Sequence, residues 1–497
     1  MMKQINIQKF TTFWKVPKLD NYKFFSLENF LSVRDFRTKE KVPYAYFESD
    51  SSYKLPLIPE EKLLSFFNPQ FIKVNIVDIE PFPYRRMSRD ITMKNPPKDK
   101  IQEEVIEKAL SGFTKYRNPR VVISLATGRG KTYVATNLIS KLNVRTIIFV
   151  KNTKLREQWF ESFKKHTDCD NILVTSGSKD LMNLMDYEDD LPDIIITTHS
   201  TVNSFVSQTS MKELAVLFIK IGIGLKIYDE FDLENSSMFK IDCNTAIKFN
   251  LYLSATDFKS FKQEDIIFTK IYEDSYNIGK EYKEVIERKA KFIFFNSYPN
   301  KKEIGKCHVY TADGPQFSYQ KFHEYTINKK GYYKELIYLW NNYIKETYES
   351  KDKLKTAFLI GRINTAKDFK KQLMDITGVK ASEIGIFNSE TPKDKRDLAL
   401  SKKLIISTSN SLGRGVDLTG LDTLVDFETR HSFSVTKQVI GRVSRSGMKN
   451  VGTYIQFIDK GFHIPLRNYN HKKKHNVFDE EFTKIEEIDL KKDKKDK

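Results

Sequence analysis

The chain has 497 residues, 40% of them hydrophobic, which is long enough for more than one domain with a real core. Lys and Arg number 83 against 65 Asp and Glu, a net charge of +18 that favours a polyanionic partner. Three separated cysteines, Cys169, Cys243 and Cys307, exclude a disulfide framework or a cysteine metal site, and no apolar run approaches the ~20 residues of a membrane span.

Residues 1–95 are rich in aromatics, including Phe10, Phe13, Trp14, Tyr22, Phe24 and Phe25, and are punctuated by prolines up to Pro96-Pro97. They read as a small accessory domain, a candidate for DNA binding. The opening Met1-Met2-Lys3-Gln4-Ile5-Asn6 has no apolar core of a secretory signal, so a cytoplasmic protein is expected.

Arg120-Val121-Val122-Ile123 reads as a buried strand, and Tyr133–Leu142 as a helix. Between them lies Ser124-Leu125-Ala126-Thr127-Gly128-Arg129-Gly130-Lys131-Thr132. A Gly-rich loop running into Lys-Thr at a helix start is a phosphate cradle. Backbone N–H groups face the anion, Lys131 adds a point charge, and Thr132 is placed to hold Mg²⁺. The strict phosphate-loop pattern has Gly where this chain has Leu125.

Further strands are expected at Val144–Val150, Asp193–Thr198, Leu225–Glu230 and Leu251–Thr256, with helices such as Leu155–Lys165 and Met211–Ile221 between them. This alternation predicts an α/β fold with a parallel sheet covered on both faces. Asp229-Glu230 closes one strand, where acidic side chains face the ligand crevice of such a sheet. Asp229 can then hold Mg²⁺ while Glu230 orients and deprotonates the attacking water.

A second α/β series is expected from about residue 355, with strands Thr356–Gly361, Ile384–Asn388, Leu404–Ser409, Thr423–Phe427 and Thr453–Ile458. It has no phosphate loop of its own. Its helix Thr436–Val443 carries Gln438-Val439-Ile440-Gly441-Arg442-Val443-Ser444-Arg445. At spacings of four and three, Gln438, Arg442 and Arg445 share one helical face. Two guanidinium groups there suit neutralisation of charge on a γ-phosphate.

Taken in order, these segments resemble the superfamily 2 helicases, over roughly residues 98 to 460. Leu125–Thr132 is similar to motif I, Asp229-Glu230-Phe231-Asp232 to motif II, and Ser254-Ala255-Thr256 to motif III. Phe149–Leu155 with Gln158-Trp159 is similar to motif Ia, with Asn152 where proline is usual. Thr197-Thr198-His199-Ser200 is similar to the next nucleic-acid-contacting segment. Thr408–Asp417 is similar to motif V and Gln438–Arg445 to motif VI, while Gln102 occupies the place of the adenine-reading glutamine.

The resemblance implies two tandem RecA-like domains with ATP in the cleft between them. Expected boundaries are 1–95 accessory, 96–275 first RecA-like, 276–350 connecting, 351–470 second RecA-like, and 471–497 a charged tail. The nucleotide-binding set it implies is Gln102, Thr127, Gly128, Gly130, Lys131, Thr132, Gly415 and Asp417, with Mg²⁺ on Thr132 and Asp229. Catalysis falls to Lys131, Asp229, Glu230, Gln438, Arg442 and Arg445. Thr153, Thr198, Ser200, Ser254, Thr256, Thr408 and Ser409 are the candidates for nucleic-acid contact and coupling. The Gln-type motif VI and Gln158-Trp159 resemble the DNA-directed branch that includes XPB-like, RecG and UvsW-type enzymes. The expectation is a monomeric, ATP- and Mg²⁺-dependent helicase acting on branched or forked duplex DNA and single strands. An RNA helicase and a nucleic-acid-binding adaptor with a decayed ATPase are the alternatives.

Overall fold

The computed structural model describes residues 3–18, 21–34, 41–48, 52–67, 72–125, 129–187, 190–231, 235–254, 270–279, 282, 287–311, 314–327, 332–350, 354–361, 363, 365–412, 418, 420–430, 433–443, 451–479 and 481–490. They fall into two compact units, Met1–Lys283 and Glu284–Lys497.

In the first unit, strands β1 (Lys3–Lys9), β2 (Phe13–Pro17), β3 (Tyr46–Phe47), β4 (Ser52–Pro56) and β5 (Ile72–Asp78) form a mixed sheet in the order β3-β4-β2-β1-β5. After helix α1 (Lys100–Thr114) comes a second sheet, made of β6 (Arg120–Ser124), β7 (Thr146–Val150), β8 (Ile172–Val174), β9 (Ile194–Thr198), β10 (Leu225–Asp229), β11 (Phe249–Ser254) and β12 (Tyr276–Ile278). Its order is β8-β9-β7-β10-β11-β6-β12, and every ladder is parallel. Helices α2 (Lys131–Leu142), α3 (Thr153–His166), α4 (His199–Gln208), α5 (Met211–Ile221) and α6 (Asn235–Asp242) lie between its strands in sequence. Strands β7, β9 and β10 are buried at every residue, which explains their unbroken apolar runs.

The N-terminal sheet is not a separate body. Ile7, Trp14, Val16 and Leu55 share one apolar core with Phe149, Phe218, Tyr228 and Tyr252 of the parallel sheet and its helices. Hydrogen bonds cross the same seam. Thr12 Oγ1 donates to the Asp242 carbonyl at 2.8 Å, and the buried Arg120 guanidinium donates to the carbonyls of Leu57 and Ile271 at 2.7 Å each. Beneath it, Asp242 accepts from Tyr228 and Tyr252 hydroxyls at 2.8 and 2.7 Å and pairs with Lys226 Nζ at 2.5 Å. Lys226 and Asp242 can both lie in the core because each charge has its partner there.

The second unit holds β13 (Arg288–Phe295), β14 (Lys355–Leu359), β15 (Ile384–Phe387), β16 (Leu404–Ser407), β17 (Leu421–Asp426), β18 (Gly452–Asp459) and β19 (Lys484–Asp489). Their order is β15-β16-β14-β17-β18-β13-β19, again all parallel. Helices α7 (Thr365–Thr377), α8 (Lys393–Leu400), α9 (Phe433–Ile440) and α10 (His463–Lys474) connect these strands.

The α/β class and the two parallel sheets match the expectation. Three elements differ from it. Strand β13 falls in the stretch read as a connecting region, yet pairs with β18 over its whole length. Residues 471–490, read as part of a charged tail, complete helix α10 and supply edge strand β19. Strand β19, Lys-Ile-Glu-Glu-Ile-Asp, escaped notice because its charges line an edge, where lysines and acids are common. Residues 491–497 lie outside the described residues.

Candidate active site

Strand β6 delivers the phosphate loop. Its residues Val121–Ile123 are buried, and the strand ends beside β11, with Ser124 paired to Ser254. The Leu125 amide donates to the Ser254 carbonyl at 3.2 Å, and its side chain joins the core. Leucine instead of glycine is thus a packing residue at the loop's base. Gly130, the N-cap of α2, has φ +77°, and a Cβ there would sit 2.3 Å from Gln102 Nε2. Only glycine suits that combination. Gln102 is itself held by loop and helix backbone: Nε2 donates to the Arg129 carbonyl at 3.0 Å, and Oε1 accepts from the Lys98 amide at 2.9 Å. Lys131 opens α2, and its Nζ folds back to the Leu125 carbonyl at 2.8 Å. Thr132 follows, half-buried, in the first helical turn, where free amides gather.

Asp229 ends β10, two strands from β6 in the sheet order. It is 7% exposed, and Oδ2 accepts from the Trp159 indole at 2.8 Å. Burial pushes its carboxyl above the usual carboxylate range, opposed by the indole hydrogen bond and the positive charge of Lys131. The loop lysine and the strand-end aspartate therefore share one electrostatic environment. Glu230 follows with φ +52°, a left-handed conformation that costs a non-glycine residue about 1–2 kcal/mol. That reversal is why the strand stops at Asp229, one residue earlier than the apolar pattern suggests. Such strain persists where surroundings enforce it, commonly at functional sites.

Among the described residues, no group of three or more His, Cys, Asp or Glu side chains is placed to hold a metal ion. One carboxylate and one hydroxyl, Asp229 and Thr132, instead fit a hard cation that takes most of its ligands from phosphate and water. The left-handed Gly130, the lysine and the helix N-terminus have the chemistry to meet an anion.

The segments expected to contact nucleic acid in the first unit are built from helix caps. Asn152, in the place where proline is usual, caps α3 by accepting from the Leu155 amide at 3.0 Å, and leaves Thr153 exposed at the first turn. Thr198 caps α4. It is 2% exposed, and its hydroxyl is committed to the Thr201 amide at 3.1 Å and to the Ser200 and Thr201 hydroxyls. Ser200 is exposed, so of this pair it is the hydroxyl presented to solvent. His199, buried between them, stacks on Tyr228 and meets Ser237 Oγ at 3.1 Å. Burial, assisted by Lys151, lowers its pKa to about 4. Ser254 is fully buried at the end of β11.

In the second unit, Thr408 Oγ1 donates to Ser411 Oγ at 2.9 Å and accepts from the Ser411 amide. Ser409 donates to Glu428 Oε2 at 2.9 Å, and Arg430 pairs with Glu428 and Asp426. Although burial raises its pKa, Arg430 and His323 hold the Glu428 carboxyl below the usual range. Glu428 and Arg430 were missed in the sequence. The signal was available: three charges in Asp426-Phe427-Glu428-Thr429-Arg430, at the C-terminal edge of an apolar strand.

Helix α9 ends at Ile440, not at Val443. The Gly441 amide still bonds the Lys437 carbonyl, but the Arg442 amide reaches only to Val439, a tightened last turn. Gln438 is on the helix and Arg442 on this turn, so the expected common face does not extend regularly to Arg442. Thr127, Gly128, Thr256, Gly415, Asp417 and Arg445 lie outside the described residues, as does the Gln438 side chain.

Residues 97–259 match the family model described as the res subunit of type III restriction enzymes, and 341–447 the helicase conserved C-terminal domain. The chain belongs to the superfamily 2 helicases. It carries the helicase-type, nucleic-acid-dependent ATPase of that superfamily. This superfamily 2 helicase is 23% identical over 444 residues to transcript termination protein A18 of Yaba-like disease virus, covering 82% of this chain and 81% of that protein. It is 27% identical over 151 residues, 30% of this chain and 29% of the relative, to the DNA 3'-5' translocase XPB2 of Sulfurisphaera tokodaii. Its fold is similar to that of the type ISP restriction-modification enzyme LlaBIII bound to DNA. That match has a TM-score of 0.54 at 15% identity, covering 86% of this chain and 34% of the enzyme. No helix among the described residues is long and apolar enough to cross a membrane.

Proposed function

We propose that this helicase is a monomeric, Mg²⁺- and ATP-dependent DNA translocase that displaces a strand from branched or forked duplex. The observation that carries the ATPase half is the electrostatic pull of the loop lysine, Lys131, on the buried, indole-held Asp229 at the end of β10. In this reading Lys131 contacts the β- and γ-phosphates, and Thr132 and Asp229 hold the cation. Glu230 directs water at the γ-phosphate. Arg442 and Arg445 neutralise charge that develops there, with Gln438 on the same segment. A Mg²⁺ held by Thr132 and Asp229 would supply positive charge to the phosphates. Thr153, Ser200, Thr408 and Ser409 are the proposed contacts to the phosphate backbone, which a translocase grips without reading sequence. Thr198, Ser254 and Thr256 relay the nucleotide state to them.

A second reading of the substrate is release of a nascent transcript. The relatives named transcript termination proteins span four-fifths of this chain, whereas the XPB2 match spans under a third. Both readings require movement on DNA and differ in what is displaced. The test is a panel of forks, Holliday junctions, blunt duplexes, RNA duplexes and halted transcription complexes, each with ATP. Unwinding of forks and junctions supports the first reading. Release of RNA from halted complexes, with junctions left intact, replaces it with the second. Activity confined to RNA duplexes sinks both.

A further inference from the structure

Trp159 has a place in the core, but its indole nitrogen does something no core aromatic needs to do. Helix α3 turns Leu155, Trp159 and Phe163 inward, at spacings of four, into the core shared with β7 and β10. Trp159 is 1% exposed, and burial alone asks for no N–H donor. Instead its Nε1 donates to Oδ2 of Asp229 at 2.8 Å. An indole N–H donates and never accepts, so the bond has one polarity and one geometry. It engages one carboxylate oxygen, Oδ2, while the Glu230 backbone also bonds the carboxylate.

The same helix opens at exposed Thr153, beneath the Asn152 cap. From Thr153 to Trp159 is under two turns, about 9 Å along the axis. One short rigid rod therefore carries a proposed nucleic-acid contact at one end and a hold on the cation carboxylate further along. We propose that Trp159 is a positioning residue: it fixes the orientation of the Asp229 carboxylate for the divalent cation, and it transmits displacement of the α3 N-terminus to that carboxylate. The inference rests on the ATPase reading above. It adds a physical link between nucleic-acid engagement and cation binding through a single hydrogen bond.

Trp159→Phe keeps an aromatic ring in the core, with a small cavity beside it, and deletes the donor. Mn²⁺ binding in the presence of ADP, followed by electron paramagnetic resonance, reads the cation site without turnover. Partners that orient metal ligands typically govern affinity by 10- to 100-fold, so a loss of roughly 10-fold in Mn²⁺ affinity is expected. The half-saturating Mg²⁺ for ATP hydrolysis should rise in parallel. KM for ATP at saturating Mg²⁺ should stay within about twofold, and the ratio of DNA-stimulated to basal kcat should fall. Unchanged Mn²⁺ affinity and an unchanged stimulation ratio in a folded variant would overturn the proposal. Wild-type protein that binds no Mn²⁺ with ADP would instead overturn the ATPase reading itself. Should the variant fail to fold, the wild type still decides. With three tryptophans in the chain, the Trp159 indole resonance in ¹⁵N-labelled protein can be picked out by Trp14→Phe and Trp340→Phe variants. It should move when Mg²⁺ joins bound ADP and move again when DNA is added, and a resonance indifferent to both would overturn the link.

Discussion

The Leu125 amide donates to the Ser254 carbonyl at 3.2 Å, so the phosphate loop and the motif III segment leave the sheet stitched together. The Leu125 side chain, 2% exposed, anchors that stitch in the core. Restoring the strict phosphate-loop pattern with Leu125→Gly should therefore harm the protein. The loss of a buried leucine and the added backbone freedom should cost about 3–5 kcal/mol. Urea denaturation followed by circular dichroism checks this, and a variant as stable as wild type would refute the packing role.

Gly279 sits just past β12 with φ +127°, and a Cβ there would lie 1.9 Å from the Ser124 carbonyl oxygen. That carbonyl ends β6, directly before the phosphate loop. Gly279→Ala should lower Tm by several degrees and raise KM for ATP, because backbone, not a flexible side chain, would have to move. A melting curve and an ATP titration of the purified variant suffice to test it.

Lys131→Ala should cut kcat for ATP hydrolysis by roughly 100-fold or more, the scale seen when a donor to developing charge is removed. Glu230→Gln should cut kcat comparably while leaving nucleotide affinity nearly intact, since water activation is not needed for binding. Steady-state ATPase assays beside binding of a fluorescent ADP separate the two outcomes. Equal loss of binding in Glu230→Gln would mean that the left-handed turn, rather than the carboxylate, is what matters.

His199 gives a prediction in pH. Its folded-state pKa, about 4, lies below the ordinary 6.5 because burial, with Lys151 nearby, disfavours the imidazolium. Above pH 6.5 both folded and unfolded forms are neutral, and stability is unaffected. As pH falls from 6.5 toward 4, the unfolded chain takes up the proton and the folded protein does not, so stability is lost across that window. The full loss is on the order of 3 kcal/mol. Tm measured at steps from pH 7 to 4.5 should fall less steeply in His199→Gln than in wild type, and parallel curves would count against it.

Much of this was legible in the residues. The apolar runs ending at Ile123, Val150, Thr198 and Asp229 sit in fully covered parallel strands, where sequence and burial say the same thing. Helix α5 could be read to both ends because Ser210 caps it and Gly222 stops it with φ +78°. What stayed hidden was set by long-range contact. No periodicity tells that Arg120, facing Leu57 and Ile271, binds the N-terminal sheet into the ATPase core. Trp14, one of the aromatics of the N-terminal region read as a candidate for DNA binding, is 1% exposed and gives its indole proton to the Ile58 carbonyl. Trp159 was visible as part of a motif, but its bond to Asp229 depends on where two distant segments meet. The end of α9 was misjudged because Gly441 and Arg442 prolong a helical pattern that the backbone closes in a tighter turn.

Strand β13 has a further consequence, in the time order of synthesis. Lys291 on β13 pairs with Glu486 on β19, 195 residues later. Its other neighbour, β18, begins only at Gly452. A nascent chain thus makes an inner strand of its second sheet early and must keep both of its edges unpaired until the last elements emerge. Pairing across such separation is slow, and open edges invite the wrong partner. The first unit meets the same demand at β6, whose neighbours β11 and β12 begin at Phe249 and Tyr276, but over a shorter separation. Expression of this protein should accordingly be limited by its second half, and chaperones that shield extended strands should help it most.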